Sequence, residues 1–395
     1  MKALVKTYLN IRTDHPAIEL DNNPGYYDPG EEIEVLGTVI GQPYKGNSIW
    51  YRLTNNAFVW SGGIDGVEFT WNTDTFEQLN SQQQNEVLLL AKEYYTDHMI
   101  SDDYGVTGIF IGKKKRAGTD MDLLSLSFQV KSKSDQHGFK TIPPFLPFKG
   151  FAIPTDVVED DYMEMQFVFP GDGLRGKPGG SLSRIDQADW GSCAFIAENE
   201  ADGFVNYYLV TNYHVAAFDL LLQNRCSYDV AKHDEFLHLV MPSWQADSNE
   251  ENKIGFLYKG LFDEWHDTAL IRIPGDTDIS NLLDENVRID SVVDIIDDVS
   301  FIGQAVTMYG GFSGAVTGKR IVSVNSSQRG RINGEIFTKS ELIQVERMSH
   351  GGDSGSPVMI GDQLIGIIIG ADKNNTYVLS ADKILSFFNL KLSTK

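Results

Sequence analysis

The stretch Gly352-Asp353-Ser354-Gly355-Ser356-Pro357 sets the reading of the whole chain, because it places a serine on a glycine-bounded turn just ahead of an apolar, strand-like segment. Glycine on either side lets the backbone take conformations that a Cβ would forbid, and it leaves room for a carbonyl group to approach. The amides of Gly352 and Ser354 can then point at one oxygen. That is the arrangement of an oxyanion hole, in which each donor contributes about 2.7–4 kcal/mol to a tetrahedral intermediate. A plain polar loop between two strands would carry the same residues.

A serine hydroxyl needs a base to take its proton and a further group to orient that base. Candidates for both lie upstream. Tyr207-Tyr208-Leu209-Val210-Thr211-Asn212-Tyr213-His214-Val215 reads as a strand running into a turn that carries His214. Trp265-His266-Asp267-Thr268-Ala269-Leu270-Ile271-Arg272-Ile273 puts Asp267 at the mouth of a buried strand. The chain order is His, Asp, Ser, with separations of 53 and 87 residues.

This order resembles the chymotrypsin-like (trypsin-like) serine peptidases, whose Thr-x-x-His, Asp-x-x-Leu-Ile and Gly-Asp-Ser-Gly-x-Pro motifs are matched here at Thr211–His214, Asp267–Ile271 and Gly352–Pro357. The resemblance implies a serine endopeptidase with Ser354 as nucleophile, His214 as general base and acid, and Asp267 as the orienting acid. It places the oxyanion hole at Gly352 and Ser354 and requires no metal or cofactor. It also puts Met348 at the base of the primary pocket and Ile369, Gly370 and Ala371 on its wall. An apolar floor disfavours selection of Lys or Arg and favours a small or medium apolar residue, while Asp372 near the wall pulls the other way. Zymogens of that family are switched on by a new Ile/Val N-terminus that meets the aspartate before the serine. No Ile-Val-Gly-Gly sequence lies near residue 181, so Asp353 needs another partner, with His350 nearby in sequence.

The chain of 395 residues is 42% hydrophobic and has length for several domains with real cores. Its net charge of −22 argues against nucleic acid or an anionic membrane as the main partner. No apolar run approaches the roughly 20 residues that span a bilayer, and residues 1–8 lack the apolar core of a signal peptide, which gives a cytoplasmic reading. Cys193 and Cys226 are the only cysteines, so the alternatives are one bridge near His214 or two buried reduced thiols.

The expected architecture is multidomain and mainly β. Residues 1–66 resemble bacterial SH3-like small β-barrels, with Leu9-Asn10-Ile11-Arg12, Pro29-Gly30-Glu31-Glu32, Trp50-Tyr51-Arg52-Leu53 and Phe58-Val59-Trp60 as partial matches to that family's motifs. Such a module implies a peptide or protein ligand, and Tyr26, Tyr27, Trp50, Tyr51 and Trp60 are candidates to line a groove or to fill the barrel.

Residues 67–180 read as a small α/β module and linker. It has a helix capped at Ser81 and ending near Ile100, and two strands around the basic run Lys113–Arg116. The glycine-rich run 170–180 lacks the Gly-Lys-Ser/Thr ending of a phosphate loop and reads as a linker. Residues 181–395, rich in short strands, suit two six-stranded β-barrels of the trypsin-like fold. The leading function is a serine endopeptidase acting on protein or peptide substrates. A catalytically silent scaffold with a binding or sensing role, and an esterase with the same triad, are the alternatives.

Overall fold

The computed structural model describes residues 2–13, 16–18, 22–44, 47–55, 57–65, 76–100, 104–116, 119–132, 141–165, 177–185, 187, 189–201, 203–233, 236–244, 246–284, 287–332 and 335–395. The junction at 66–67 and most of the glycine-rich run 170–180 lie outside the described residues. The chain divides into two compact units: Met1–Ala91 with Lys113–Leu126 and Ile142–Asp156, and Lys92–Gly112 with Ser127–Thr141 and Val157–Lys395.

The first unit begins with β1 (Lys2–Val5), β2 (Leu9–Arg12), β3 (Gly25–Tyr27), β4 (Glu32–Tyr44), β5 (Asn47–Leu53), β6 (Phe58–Trp60) and β7 (Ile64–Asp65), ordered β3-β2-β6-β5-β4-β1-β7 in one sheet. The strands form because apolar residues alternate: Ala3 and Val5 of β1 point inward while Lys2 and Leu4 face solvent. Val5, Leu9, Val35, Leu53 and Val59 fill the interior. Of the aromatic groove candidates, Tyr51 joins the interior, while Trp50, on the opposite face of β5, is also buried, its Nε1 donating to Gln42 O at 3.0 Å. Tyr26 stays on the surface, edge-to-face with Tyr8.

Helix α1 (Ser81–Met99) is capped one residue earlier than expected. Asn80 Oδ1 accepts from the Gln83 amide at 2.9 Å and Gln83 Oε1 accepts from the Asn80 amide at 3.1 Å, a reciprocal capping box. β8 (Val106–Arg116) continues through the basic run assigned to a turn, and β9 (Thr119–Val130) follows it. β10 (Phe145–Phe148) and β11 (Phe151–Glu159) form a hairpin that takes in Pro147.

The second unit carries two curled sheets. After β12 (Met163–Glu164), the first contains β13 (Ser181–Arg184), β14 (Gly191–Ser192), β15 (Phe195–Ala201), β16 (Phe204–Thr211), β17 (Ser227–Asp229), β18 (His238–Val240), β19 (Lys253–Phe262) and β20 (Asp267–Ile273). Its central order is β13-β18-β19-β20-β16-β15, and α2 (Tyr213–Ala216) and α3 (Phe218–Leu222) follow β16.

The second sheet contains β21 (Ser291–Val292), β22 (Ala305–Gly310), β23 (Gly314–Ile332), β24 (Glu335–Glu346), β25 (Pro357–Ile360), β26 (Gln363–Ala371) and β27 (Asn375–Ser380). Six of these strands close on themselves in the order β23-β22-β25-β26-β27-β24, because β23 also pairs with β24. The far end of β23 takes β8 as a further antiparallel neighbour, with Phe110 opposite Ser326. α4 (Ala381–Phe388) is capped by Ser380, and β28 (Lys391–Leu392) returns to β15.

Each sheet encloses its own apolar core. Leu182, Ile196, Leu209, Leu257 and Ile271 fill the first, and Val306, Val324, Val345, Val358 and Ile368 the second. Phe195, Tyr208 and Leu270 of the first sheet pack with Ile367, Ile369 and Tyr377 of the second in a shared cluster, which holds the two sheets in fixed register beside the site.

Candidate active site

His214 stands one turn beyond the end of β16, and Asp267 is the first residue of β20. Because Thr211 pairs with Ala269 in the β16–β20 ladder, the two residues leave the sheet side by side. Asn212 Nδ2 donates to the Asp267 carbonyl at 3.0 Å and fixes the intervening corner. His214 Nδ1 donates to Asp267 Oδ2 at 2.5 Å, and the His214 amide donates to Oδ1 at 3.1 Å. This sets the tautomer whose Nε2 is the basic nitrogen. Burial alone would raise the Asp267 pKa. The charge and hydrogen bond of His214, together with the Lys339 ammonium, outweigh burial and hold the carboxyl below its ordinary value.

Lys339, on β24, had no place in the sequence reading. Its Nζ donates to the carbonyl oxygens of Asp263 and His266 and lies 3.6 Å from the centroid of the Phe262 ring. Burial pushes its pKa down to about 8 against the pull of Asp267 and Asp263. Nothing in the polar run Thr338-Lys339-Ser340 signals that this lysine points inward.

Ser354 occupies the turn between β24 and β25. Gly352 has φ +89° and Gly355 has φ +86°, conformations that L side chains rarely adopt. A Cβ on Gly355 would fall 2.1 Å from Ser192 O, and one on Gly352 would fall 2.8 Å from the Trp190 ring, so both sites exclude side chains by space as well as by torsion. The Gly355 amide donates to Ile368 O at 2.8 Å and the Ile368 amide to Ser356 O at 3.0 Å, which ties the turn to β26.

Ser192 bridges the two sheets. Its amide donates to Ser354 O at 2.7 Å and its hydroxyl to Gly352 O at 2.8 Å, while Thr211 Oγ1 donates to Ser192 O at 2.7 Å. The serine turn is thereby linked through Ser192 to the end of the strand that leads to His214. His214, Asp267 and Ser354 are each 0% exposed.

Asp353 finds its partners inside the chain. Oδ1 accepts from the amides of Phe312 and Ser313 at 3.1 and 2.9 Å, and Oδ2 accepts from Ser313 Oγ at 2.5 Å and the His350 amide at 2.9 Å. His350 thus contributes through its backbone, and its ring lies 3.3 Å from Ser313 Oγ.

The pocket candidates are spread over several environments. Met348 packs in the core of the second sheet, its amide donating to Thr376 Oγ1 at 3.0 Å, and Ile369 belongs to the shared cluster. Gly370 and Ala371 lie at the edge of β26, where Glu164 of β12 pairs with Ala371. Asp372 is turned into a polar cluster: Oδ1 accepts from the Asn374 and Asn375 amides at 2.9 and 2.7 Å, and Oδ2 accepts from the Tyr377 hydroxyl. Both cysteines are free. Cys193 is buried, donates to Lys177 O at 3.0 Å and is pushed up to about 12 by burial, whereas Cys226 is exposed, so the two thiols do not share the expected burial.

No family model and no curated protein matches this chain. Among solved structures it is similar to Thermobifida fusca protease A at 17% identity, covering 56% of this chain and all of that one, with a TM-score of 0.39. It is similar to Nocardiopsis protease at 17% identity and the same coverage, with a TM-score of 0.40. A third likeness, at 16% identity, 56% and 100% coverage and a TM-score of 0.35, is to Cellulomonas bogoriensis chymotrypsin. These are bacterial serine proteases, and each likeness covers about half of the chain.

Proposed function

We propose that the chain is a serine endopeptidase of the trypsin-like type. Residues 181–395 form its two-barrel catalytic domain, residues 67–180 a middle module, and residues 1–66 an SH3-like domain that binds a peptide or protein ligand. The observation that carries this reading is the fully buried His214–Asp267 pair at 2.5 Å, fixed beside the strained Ser354 turn by Ser192.

In this reading Ser354 Oγ attacks a peptide carbonyl and its proton passes to His214 Nε2. The amides of Gly352 and Ser354 receive the oxyanion, and Asp267 stabilises the imidazolium. The C–N bond breaks as His214 returns the proton to the leaving amine, which leaves an acyl ester on Ser354. Water then repeats the cycle, its proton going to His214 and on to the Ser354 oxygen as the ester cleaves. The pairing of Glu164 with the β26 edge favours an extended peptide over a small ester as the natural ligand of that edge.

A small fluorophosphonate is expected to form a covalent adduct on Ser354 in the full chain, mapped by peptide mass and lost in Ser354→Ala. The probe is applied to the wild type and to Met163→Asp, whose altered residue lies against the wall of the site. Absence of an adduct in both would leave the silent-scaffold alternative. Cleavage of a peptide library would separate a peptidase from an esterase, which cleaves esters and leaves peptide bonds intact.

A further inference from the structure

β26 is bonded to the serine turn at Ile368, so the next residues, Ile369, Gly370 and Ala371, run directly away from the nucleophile. An extended peptide with its carbonyl at Ser354 would add to this edge as another strand, since strand addition is how sheet edges bind chains in extended form. The edge already has an occupant. Glu164 pairs antiparallel with Ala371, and Met163 and Glu164 pair parallel with Gly330 and Arg331 of β23.

The approach is close. A Cβ on Gly370 would fall 2.7 Å from Glu164 O and 3.0 Å from Met163 Cγ, so the bare glycine makes room for the segment. Met163 is fully buried with Ile367, Ile369 and Tyr377. Upstream, Asp160 Oδ2 accepts from Asn375 Nδ2 at 2.8 Å and Asn374 Nδ2 at 3.1 Å, and the Tyr162 ring lies 4.2 Å from both Lys131 Nζ and the Arg331 guanidinium carbon.

We propose that Tyr162-Met163-Glu164 is a resident pseudosubstrate, and that the true substrate is an extended peptide with a flexible apolar side chain where Met163 now sits. This rests on the serine-peptidase reading and adds a substrate class and a mode of control to the same site. The segment's ladder is only two residues long, and it is held chiefly by side chains: Asp160, Tyr162, Met163 and, just beyond it, Met165 in the core of the first sheet. Few main-chain bonds therefore need to break for it to leave. A cavity of about 290 Å³, lined in part by Glu164, Arg347, Ala371 and Asp372, opens beside it and offers a competing chain a point of entry. The complete burial of His214 and Ser354 agrees with a site that is covered at rest.

The test uses the full chain and two probes: the small fluorophosphonate, and a biotinylated tetrapeptide diphenyl phosphonate with apolar side chains. Met163→Asp puts a charge into the apolar cluster and expels the segment. It is expected to speed labelling by the peptide probe about tenfold or more over wild type, since an edge available only a tenth of the time weakens apparent binding by that factor. Asp160→Ala loosens the same segment without touching the cluster and is expected to act in the same direction, which covers a folding defect in the first variant. A free peptide of residues 160–165 is expected to inhibit the opened variants. Equal peptide-probe rates in wild type and both variants, with Ser354 labelled throughout, overturn the pseudosubstrate and leave the peptidase reading standing. No adduct from either probe in any form overturns the peptidase reading, and this proposal with it.

Discussion

Ser313 holds Asp353 from two sides: its hydroxyl donates to Oδ2 at 2.5 Å and its amide to Oδ1 at 2.9 Å. With the amides of Phe312 and His350 added, the buried carboxylate beside Ser354 is satisfied without a newly cut N-terminus. A hydrogen bond to a charged group contributes about 1.5–3 kcal/mol. Ser313→Ala is therefore expected to lower unfolding free energy by about that amount and to slow labelling of Ser354, while Ser313→Thr restores both. Denaturant unfolding and labelling rates check this, and an unchanged labelling rate in Ser313→Ala would show that the pair does not position the turn.

Lys339 gives a pH signature of stability. Its pKa is lowered to about 8 in the folded protein from an ordinary value of 10.5, so between those pH values the unfolded chain binds the additional proton. Stability then rises as pH increases across that window. Lys339→Met lacks the proton. The difference in unfolding free energy, wild type minus variant, is expected to climb by about 3 kcal/mol from pH 8 to pH 10.5. A flat difference would mean that Lys339 is not desolvated behind Asp267. Lys92, also lowered to about 8 by burial, is present in both proteins and cancels.

The legible parts of the site are those encoded by short-range pattern. His214 and Asp267 stand at the ends of apolar strands, and Ser354 stands between two glycines whose positive φ the sequence alone suggests. The partners of that machinery arise from contacts distant along the chain. Ser313 meets Asp353 across 40 residues, Lys339 meets Asp263 across 76, and Asp160 meets Asn375 across 215. No local periodicity marks such pairs. Met163-Glu164-Met165 alternates too briefly to mark a strand, its acidic lead-in groups it with the middle module, and only the register with Ala371 shows its place. In the first unit, Trp50 and Tyr51 illustrate a related limit, since aromatic content alone cannot separate buried rings from a binding groove.

Gly355→Ala tests whether the turn tolerates relief of its strain. The substitution forces an L side chain to φ +86° and sets its Cβ 2.1 Å from the Ser192 carbonyl, which is backbone and cannot rotate away. A non-glycine residue in such a conformation costs about 1–3 kcal/mol before the collision is counted. The variant is expected to lose at least that much stability and to lose labelling of Ser354. Ser192→Ala, which removes the bond from its hydroxyl to Gly352 O and the one it accepts from the Gly311 amide but leaves the backbone torsions alone, is expected to be milder. A fully active Gly355→Ala would contradict the geometry of the turn.

Asp160 and Asp372 converge on Asn375, whose Nδ2 lies 2.8 Å from Asp160 Oδ2 and 3.4 Å from Asp372 Oδ1. Burial, then the charge of Asp160, pushes Asp372 up to about 7, against the Tyr377 hydroxyl and the Asn374 and Asn375 amides, while Asp160 is itself raised by burial. Gln129 lies behind Tyr377, Arg347 bonds to the Asp372 carbonyl oxygen, and Asp161, Glu164 and Lys373 line the adjoining cavity. A raised carboxyl keeps its proton in the folded state from about 3.8 to about 7, so its stabilisation is complete below that window and lost as pH rises through it. Asp372→Asn stays neutral, and the stability of wild type relative to this variant should fall across the window and level off above it. Ionisation of both carboxylates also weakens the anchor of Tyr162–Glu164 by like-charge repulsion. Labelling by the peptide probe should therefore rise between about pH 6 and about pH 8 more steeply in wild type than in Asp372→Asn, with the small probe correcting for any pH dependence of labelling at Ser354 itself. Parallel profiles in the two proteins would show that this pair does not hold the segment over the site.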